Sequence, residues 1–299
     1  MTGSPAHPDP QWLDVQYNNR ARVPDFAAHL AHWIDQSARA RQSPGCVLDI
    51  AYGKSVNEKL DVFPAAAQKK NGKGAPVLVF IHGGWWRSLD KSDHSFVSPS
   101  FAEAGACVVV PNYDLCPAVT IPEITMQMVR ALAWTFRNIA RYGGDPSRIT
   151  VAGHSAGGHL AAMMLACDWP SYARDLPSNL VKNALSISGL HDLAPLPHTP
   201  AMKDSLRLTP EDVSRASPAL LPAPRTGTLY AVVGGDESEE FLRQNVVIQQ
   251  AWGKKVVPVC ENLSGLNHFS VLQTLTEPDQ RAHQLALQLL GLPGGKGAA

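Results

Sequence analysis

Short apolar runs rich in β-branched residues alternate along this chain with longer segments whose apolar residues recur every three or four positions. The runs read as strands and the periodic segments as amphipathic helices. Eight strands are predicted, at 47–52, 60–63, 77–81, 107–111, 149–152, 184–188, 229–233 and 256–260. The clearest helix lies between the fourth and fifth strands. Ile121, Ile124, Met128, Leu132, Phe136 and Ile139 share one face, and Gly143-Gly144-Asp145-Pro146 stops it. A second helix follows the seventh strand, with Phe241, Asn245, Ile248 and Trp252 on one side. A last helix is predicted from about 271 to 290, ended by Gly291 and Pro293. Alternation of this kind predicts an α/β fold, a mostly parallel sheet flanked by helices.

Two segments stand outside the alternation and are expected to cover an active site. The first is 11–41, where Phe26, Leu30, Trp33 and Ile34 suggest an amphipathic helix. The second is the Pro-rich stretch 191–224, with a small helix begun by Thr209 as N-cap and Pro210 at the first helical position. The run Lys69-Lys70-Asn71-Gly72-Lys73-Gly74 reads as a polar loop between strands. No internal repeat or long linker is evident. The expected organisation is a disordered lead-in at 1–10, one domain at 11–293 and a frayed tail at 294–299.

Composition narrows the function. Apolar residues make up 44% and charged residues 17%, with a formal net charge of zero, so neither nucleic acid nor an acidic membrane surface is an expected partner. No run approaches the ~20 apolar residues of a membrane span, and the first ten residues lack the pattern of a signal peptide. The five cysteines are an odd number and none has C-x-x-C spacing, which fits reduced thiols in a cytoplasmic protein. Cys116 alone lies in an evident loop and is a weak alternative nucleophile. No His/Asp cluster at ligand spacing appears, so no metal and no cofactor is expected.

The chemistry concentrates at two motifs. Gly153-His154-Ser155-Ala156-Gly157 follows a β-branched run and precedes a helix-forming one, the context of the nucleophile elbow of α/β-hydrolases. Ser155 is the candidate nucleophile, at a sharp turn where flanking glycines keep side chains away from the close approach of strand and helix. His82-Gly83-Gly84-Trp85-Trp86 follows the apolar run 77–81. A glycine-rich turn there turns backbone N–H groups into a pocket, as an oxyanion hole requires. The candidate donors are the N–H groups of Gly84, Trp85 and Ala156, and Trp85 and Trp86 are candidates for an aromatic wall, with at least one of the two allowed to be core. A serine hydroxyl needs a base, and the base needs a carboxylate. The α/β-hydrolase order of serine, acid, histidine points to His268, the one histidine past the last strand that lies outside the final helix. His154 and His159 are too close in sequence to turn back on Ser155, and His283 is expected on the surface of that helix. For the acid, Asp236, Glu237 and Asp192 are all open.

These motifs together resemble the kynurenine formamidase (arylformamidase) branch of the α/β-hydrolase superfamily, related to the hormone-sensitive-lipase-like esterases. The resemblance rests on His82-Gly83-Gly84-Trp85-Trp86, Gly153-His154-Ser155-Ala156-Gly157-Gly158-His159, Tyr17-Asn18-Asn19-Arg20 and Ser238-Glu239-Glu240-Phe241. The last looks like the branch's Ser-Pro-Glu-Phe segment just after the acid, with Glu239 in place of proline. It implies Glu237 as the acid, where members often carry aspartate. The matches run from about residue 11 to 270. They imply an eight-stranded α/β-hydrolase using no cofactor and acting on a small aromatic amide or ester, with N-formylkynurenine the implied substrate. A general short-chain carboxylesterase is the alternative, and a non-catalytic binding protein of the same fold a remote one. Oligomeric state is left open.

Overall fold

Strands that are apolar on both faces are stable only where helices cover each side of the sheet. The computed structural model, which describes residues 9–66 and 74–294, has that arrangement. Its strands are β1 (Val47–Ala51), β2 (Lys59–Phe63), β3 (Ala75–Ile81), β4 (Cys107–Pro111), β5 (Gly144–His154), β6 (Val181–Ile187), β7 (Thr228–Gly234) and β8 (Val259–Leu263). They form one sheet in the order β1-β2-β4-β3-β5-β6-β7-β8. β2 is antiparallel to both neighbours, β1 and β4, and from β4 onward every pairing is parallel.

The larger helices are α1 (Pro10–Tyr17), α2 (Phe26–Ala40), α3 (Ile121–Asn138), α4 (Ala156–Ala166), α5 (Pro200–Leu206), α6 (Pro210–Ala216), α7 (Glu239–Val256) and α8 (Arg281–Leu290). Alternation along β3 divides the core. Val77, Val79 and Ile81 meet the buried faces of α1, α3, α4 and α7, while Leu78 and Phe80 pack with α2 and α8 on the other side. The predicted cap appears: Thr209 forms a capping box with Asp212 on α6, and Thr120 and Glu123 form another on α3. Among the described residues, no helix is long and apolar enough to cross a membrane.

Several expectations are corrected. The helix read at 271–290 is two pieces, Ser270–Gln273 and α8, because Pro278 between them has no N–H to continue the ladder. His283 is 2% exposed, stacked on Phe101 with its Nδ1 at 2.8 Å from the Leu275 carbonyl oxygen. The last strand starts at Val259 and not at 256, since α7 runs on to Val256 across a kink at Gly253. β5 begins five residues earlier than predicted, at Gly144. On α2 the buried face runs through Trp33, Ser37 and Ala40, which leaves Ile34 52% exposed. Helix α1 begins at Pro10, inside the stretch read as a lead-in, with Asp9 as its cap. Residues 1–8, the 67–73 part of the polar loop and the 295–299 part of the tail lie outside the described residues.

A buried ion cluster ties the N-terminal segment to the antiparallel edge. The fully buried carboxylate of Asp61 on β2 accepts from Lys91 Nζ at 2.8 Å, from Arg41 just past α2, and from the Asp49 N–H. Removing Asp61 leaves Lys91 and Arg41 only the half-exposed carboxylate of Asp49 as a partner. Asp61→Ala is therefore expected to destabilise the fold by about 3–5 kcal/mol, read as a lowered midpoint in urea unfolding.

Candidate active site

β5 delivers Ser155 into a backbone conformation few side chains adopt. At φ 56° and ψ −118° the residue is strained, and the turn it makes launches α4 at once. A Cβ on Gly153 would lie 2.1 Å from the Gly157 carbonyl oxygen, and one on Gly157 would lie 2.0 Å from that of Ile81. Both positions need glycine because β3, β5 and α4 meet there. Ser155 is 2% exposed.

The turn after β3 lies alongside. A Cβ on Gly83 would sit 2.8 Å from the His154 carbonyl oxygen and 3.2 Å from Ser155 Cβ, so the glycine lets the two loops touch. The carbonyls of this turn are occupied on the protein side. Tyr113 donates to the His82 oxygen at 2.8 Å, Arg87 and Ser88 N–H groups donate to Gly84, and Cys116 N–H donates to Trp86. By contrast, among the described residues none of the turn and loop backbone hydrogen bonds uses the N–H of Gly84, Trp85 or Ala156. Positive φ at Gly84, Trp85 and Trp86 gives the turn its shape. Burial holds the His82 imidazole below its ordinary pKa, and its ring stacks on Tyr113 at 4.2 Å between centroids.

The acid and the late histidine come together at the ends of β7 and β8. Glu237 Oε2 accepts from His268 Nδ1 at 2.5 Å, while Oε1 accepts from Ser188 Oγ at 2.5 Å and from the Gly234 N–H at 2.8 Å. Its neighbour Asp236 is exposed, so of the adjacent pair only Glu237 faces His268. Asp192 is engaged elsewhere, with Arg243 at 2.9 Å. With Nδ1 committed to the carboxylate, Nε2 is the His268 nitrogen available to a substrate or to Ser155. Ser155 and His268 line the same cavity without a hydrogen bond between them, and such contacts are often long before a substrate is bound. His154 is buried beneath, with Nε2 at 2.8 Å from the His268 carbonyl oxygen.

That cavity encloses about 300 Å³. Tyr17, Leu30 and Trp33 line it from the N-terminal segment, Thr199, Ala201 and Met202 from the 191–224 segment, and Gly84 and Trp85 from the turn. Both segments thus cover the site. Trp85 stands edge-on to Tyr17 at 5.6 Å. Trp86 does not line the cavity. It is fully buried, edge-on to His159 at 5.0 Å, and belongs to the core, which removes it from the aromatic wall. Trp33 and Phe269 take that place. Sequence reasoning passed over Ser188, whose positive φ at the end of β6 aims its hydroxyl at Glu237. A serine ending a buried strand carries no pattern of its own. Cys116 is buried, which pushes its thiol up to about 11 and makes it a poor nucleophile. Among the described residues, no group of three or more His, Cys, Asp or Glu side chains is placed to hold a metal ion.

The chain is similar to known hydrolases. A family model described as BD-FAE matches residues 60–199. The kynurenine formamidase of Salmo salar is 28% identical over 291 residues, spanning 94% of this chain and 95% of that protein. Esterase LipQ of Mycobacterium tuberculosis is 36% identical over 149 residues, 48% of this chain and 35% of that protein. Among solved structures, a putative thioesterase from Silicibacter sp. superposes with a TM-score of 0.77 at 30% identity, covering 89% of this chain and 95% of the other. The chain belongs to the α/β-hydrolase superfamily, is similar to kynurenine formamidases and to esterases, and is a hydrolase of the arylformamidase or carboxylesterase type.

Proposed function

We propose that the protein is a serine hydrolase cleaving a small aromatic amide through an acyl-enzyme, with N-formylkynurenine as substrate and kynurenine and formate as products. The observation that carries this reading is the 2.5 Å contact of His268 Nδ1 with Glu237, beside Ser155 on a cavity walled by Tyr17, Trp33, Trp85 and Phe269. Ser155 Oγ attacks the formyl carbon as its proton passes to His268 Nε2. Glu237 holds the imidazolium that forms. The developing oxyanion is taken by the N–H groups of Gly84, Trp85 and Ala156. His268 then returns the proton to the arylamine nitrogen as the C–N bond breaks, leaving a formyl ester on Ser155. Water deprotonated by His268 attacks that ester, formate leaves, and the serine regains its proton. An arylamine is a better leaving group than an alkylamine, so this machinery suffices for the amide.

The cavity volume suits a single-ring substrate and lies at the lower end of the range for small-molecule sites. The carboxylesterase reading uses the same residues, and the likeness to esterase LipQ over 48% of this chain favours it. We read residues 11–293 as one domain, and the five unpaired cysteines as those of a cytoplasmic protein.

Comparing kcat/KM for N-formylkynurenine with that for p-nitrophenyl acetate and p-nitrophenyl butyrate separates the two readings. The formamide is expected to exceed both esters by about tenfold or more, a difference of roughly 1.4 kcal/mol in transition-state binding. Equal or higher values for the esters would make the enzyme a carboxylesterase.

The adjacent carboxylates make opposite predictions. Glu237→Gln keeps the volume and loses the charge facing the imidazolium, and is expected to lower kcat by up to about 10⁴. Asp236→Asn changes an exposed side chain and is expected to cost only a few tenths of a kcal/mol in stability and little in rate. Steady-state kinetics of the two variants decide the assignment.

A further inference from the structure

The residue that ends β5 and precedes the nucleophile, His154, has no part in the chemistry above, yet it touches the base directly. Its ring is buried and lies against that of His268, with centroids 4.7 Å apart. Its Nε2 is 2.8 Å from the backbone carbonyl oxygen of His268. A carbonyl only accepts, so Nε2 carries the proton and donates. Burial, with the nearby His268 and His94, holds the imidazole well below its ordinary pKa, so His154 stays neutral. Trp33 stands edge-on to the ring, with centroids 6.2 Å apart.

The His268 carbonyl has no place in the helical turn that follows it. Val271 N–H goes to the Asn267 oxygen and Leu272 N–H to that of Phe269, which skips His268. The side chain of the base is thus held by Glu237 and its backbone by His154. Because His154 is bonded in the chain to Ser155, a single residue links the nucleophile to the loop that carries the base. Those two come from the ends of different strands, β5 and β8, and no hydrogen bond joins their side chains directly. A neutral strap also adds no second positive charge beside the imidazolium of the reaction, which a protonated His154 would do at close range.

We propose that His154 is the positioning residue of the base, its Nε2–H fixing the His268 backbone so that the imidazole stands in reach of Ser155. The proposal rests on His268 being the base and Ser155 the nucleophile. Its test is a pair of substitutions in the full chain, His154→Asn and His154→Gln. A glutamine amide reaches the position of Nε2 and retains the donor, whereas an asparagine amide ends near that of Nδ1 and falls short of the carbonyl.

His154→Asn is expected to lower kcat by about 10- to 100-fold with KM changed by less than about twofold, since a misplaced catalytic group costs rate and not binding. His154→Gln is expected to restore kcat to within about threefold of the parent. Melting temperatures establish that both variants are folded, and if His154→Asn does not fold, His154→Phe replaces it with the same two outcomes. A folded variant without the donor that keeps kcat within about twofold of the parent, or a folded His154→Gln as slow as His154→Asn, overturns the proposal. Full activity in His268→Ala would instead contradict the catalytic reading, which the His154 series leaves untouched.

Discussion

Three donors converge on the carboxylate of Glu237: the hydroxyl of Ser188 at the end of β6, the N–H of Gly234 at the end of β7, and Nδ1 of His268 beyond β8. The carboxylate is buried, and a buried charge is tolerated only when its lone pairs are satisfied in this way. Adjacency of β6, β7 and β8 in the sheet is what brings the donors together. The site therefore depends on strand order, and strand order on the alternation of apolar runs with helices. The carboxylate in turn fixes the tautomer and direction of His268, so that Nε2 points into the cavity.

The second constraint is steric. Ser155 reaches the same cavity because β3, β5 and α4 approach to distances that leave no room for a Cβ at Gly153 or Gly157. Ser155, Trp85, Trp86 and Ser188 all have positive φ, and all four lie at strand ends around the site. Strain of this kind persists only where surrounding packing over-determines the backbone. Here the packing is supplied by the central strands, whose facing residues are almost fully buried. Strand ends carry Ser155, Glu237 and His268, while the N-terminal and 191–224 segments wall the cavity.

Much of this was legible in the chain, for identifiable reasons. Long periodic helices and apolar central strands announce themselves because their signal is repeated over many residues, as on α3 and β3. Ser155, the glycine-rich turn and His268 could be picked out as candidates because the elbow and the turn demand residue types that rarely coincide. Glu237 was not separable from Asp236 by residue type alone, since two adjacent carboxylates differ only in which way the backbone turns them. Trp86, His283 and Ile34 were misjudged because one residue of helical or turn rotation decides between core and surface. The broken final helix turned on Pro278. Ser188 and the contact of His154 with the His268 carbonyl connect residues far apart in the chain, so no local pattern reports them.

The central claim is that Ser155 is a nucleophile activated by His268. Covalent labelling with an aryl fluorophosphonate, followed by peptide mass mapping, tests it most directly. A single adduct on Ser155, formed quickly by the parent protein and slowed by about 10³-fold or more in His268→Ala, is the predicted result. An adduct on any other serine or on Cys116, or labelling of Ser155 at the parent rate in His268→Ala, would contradict the account.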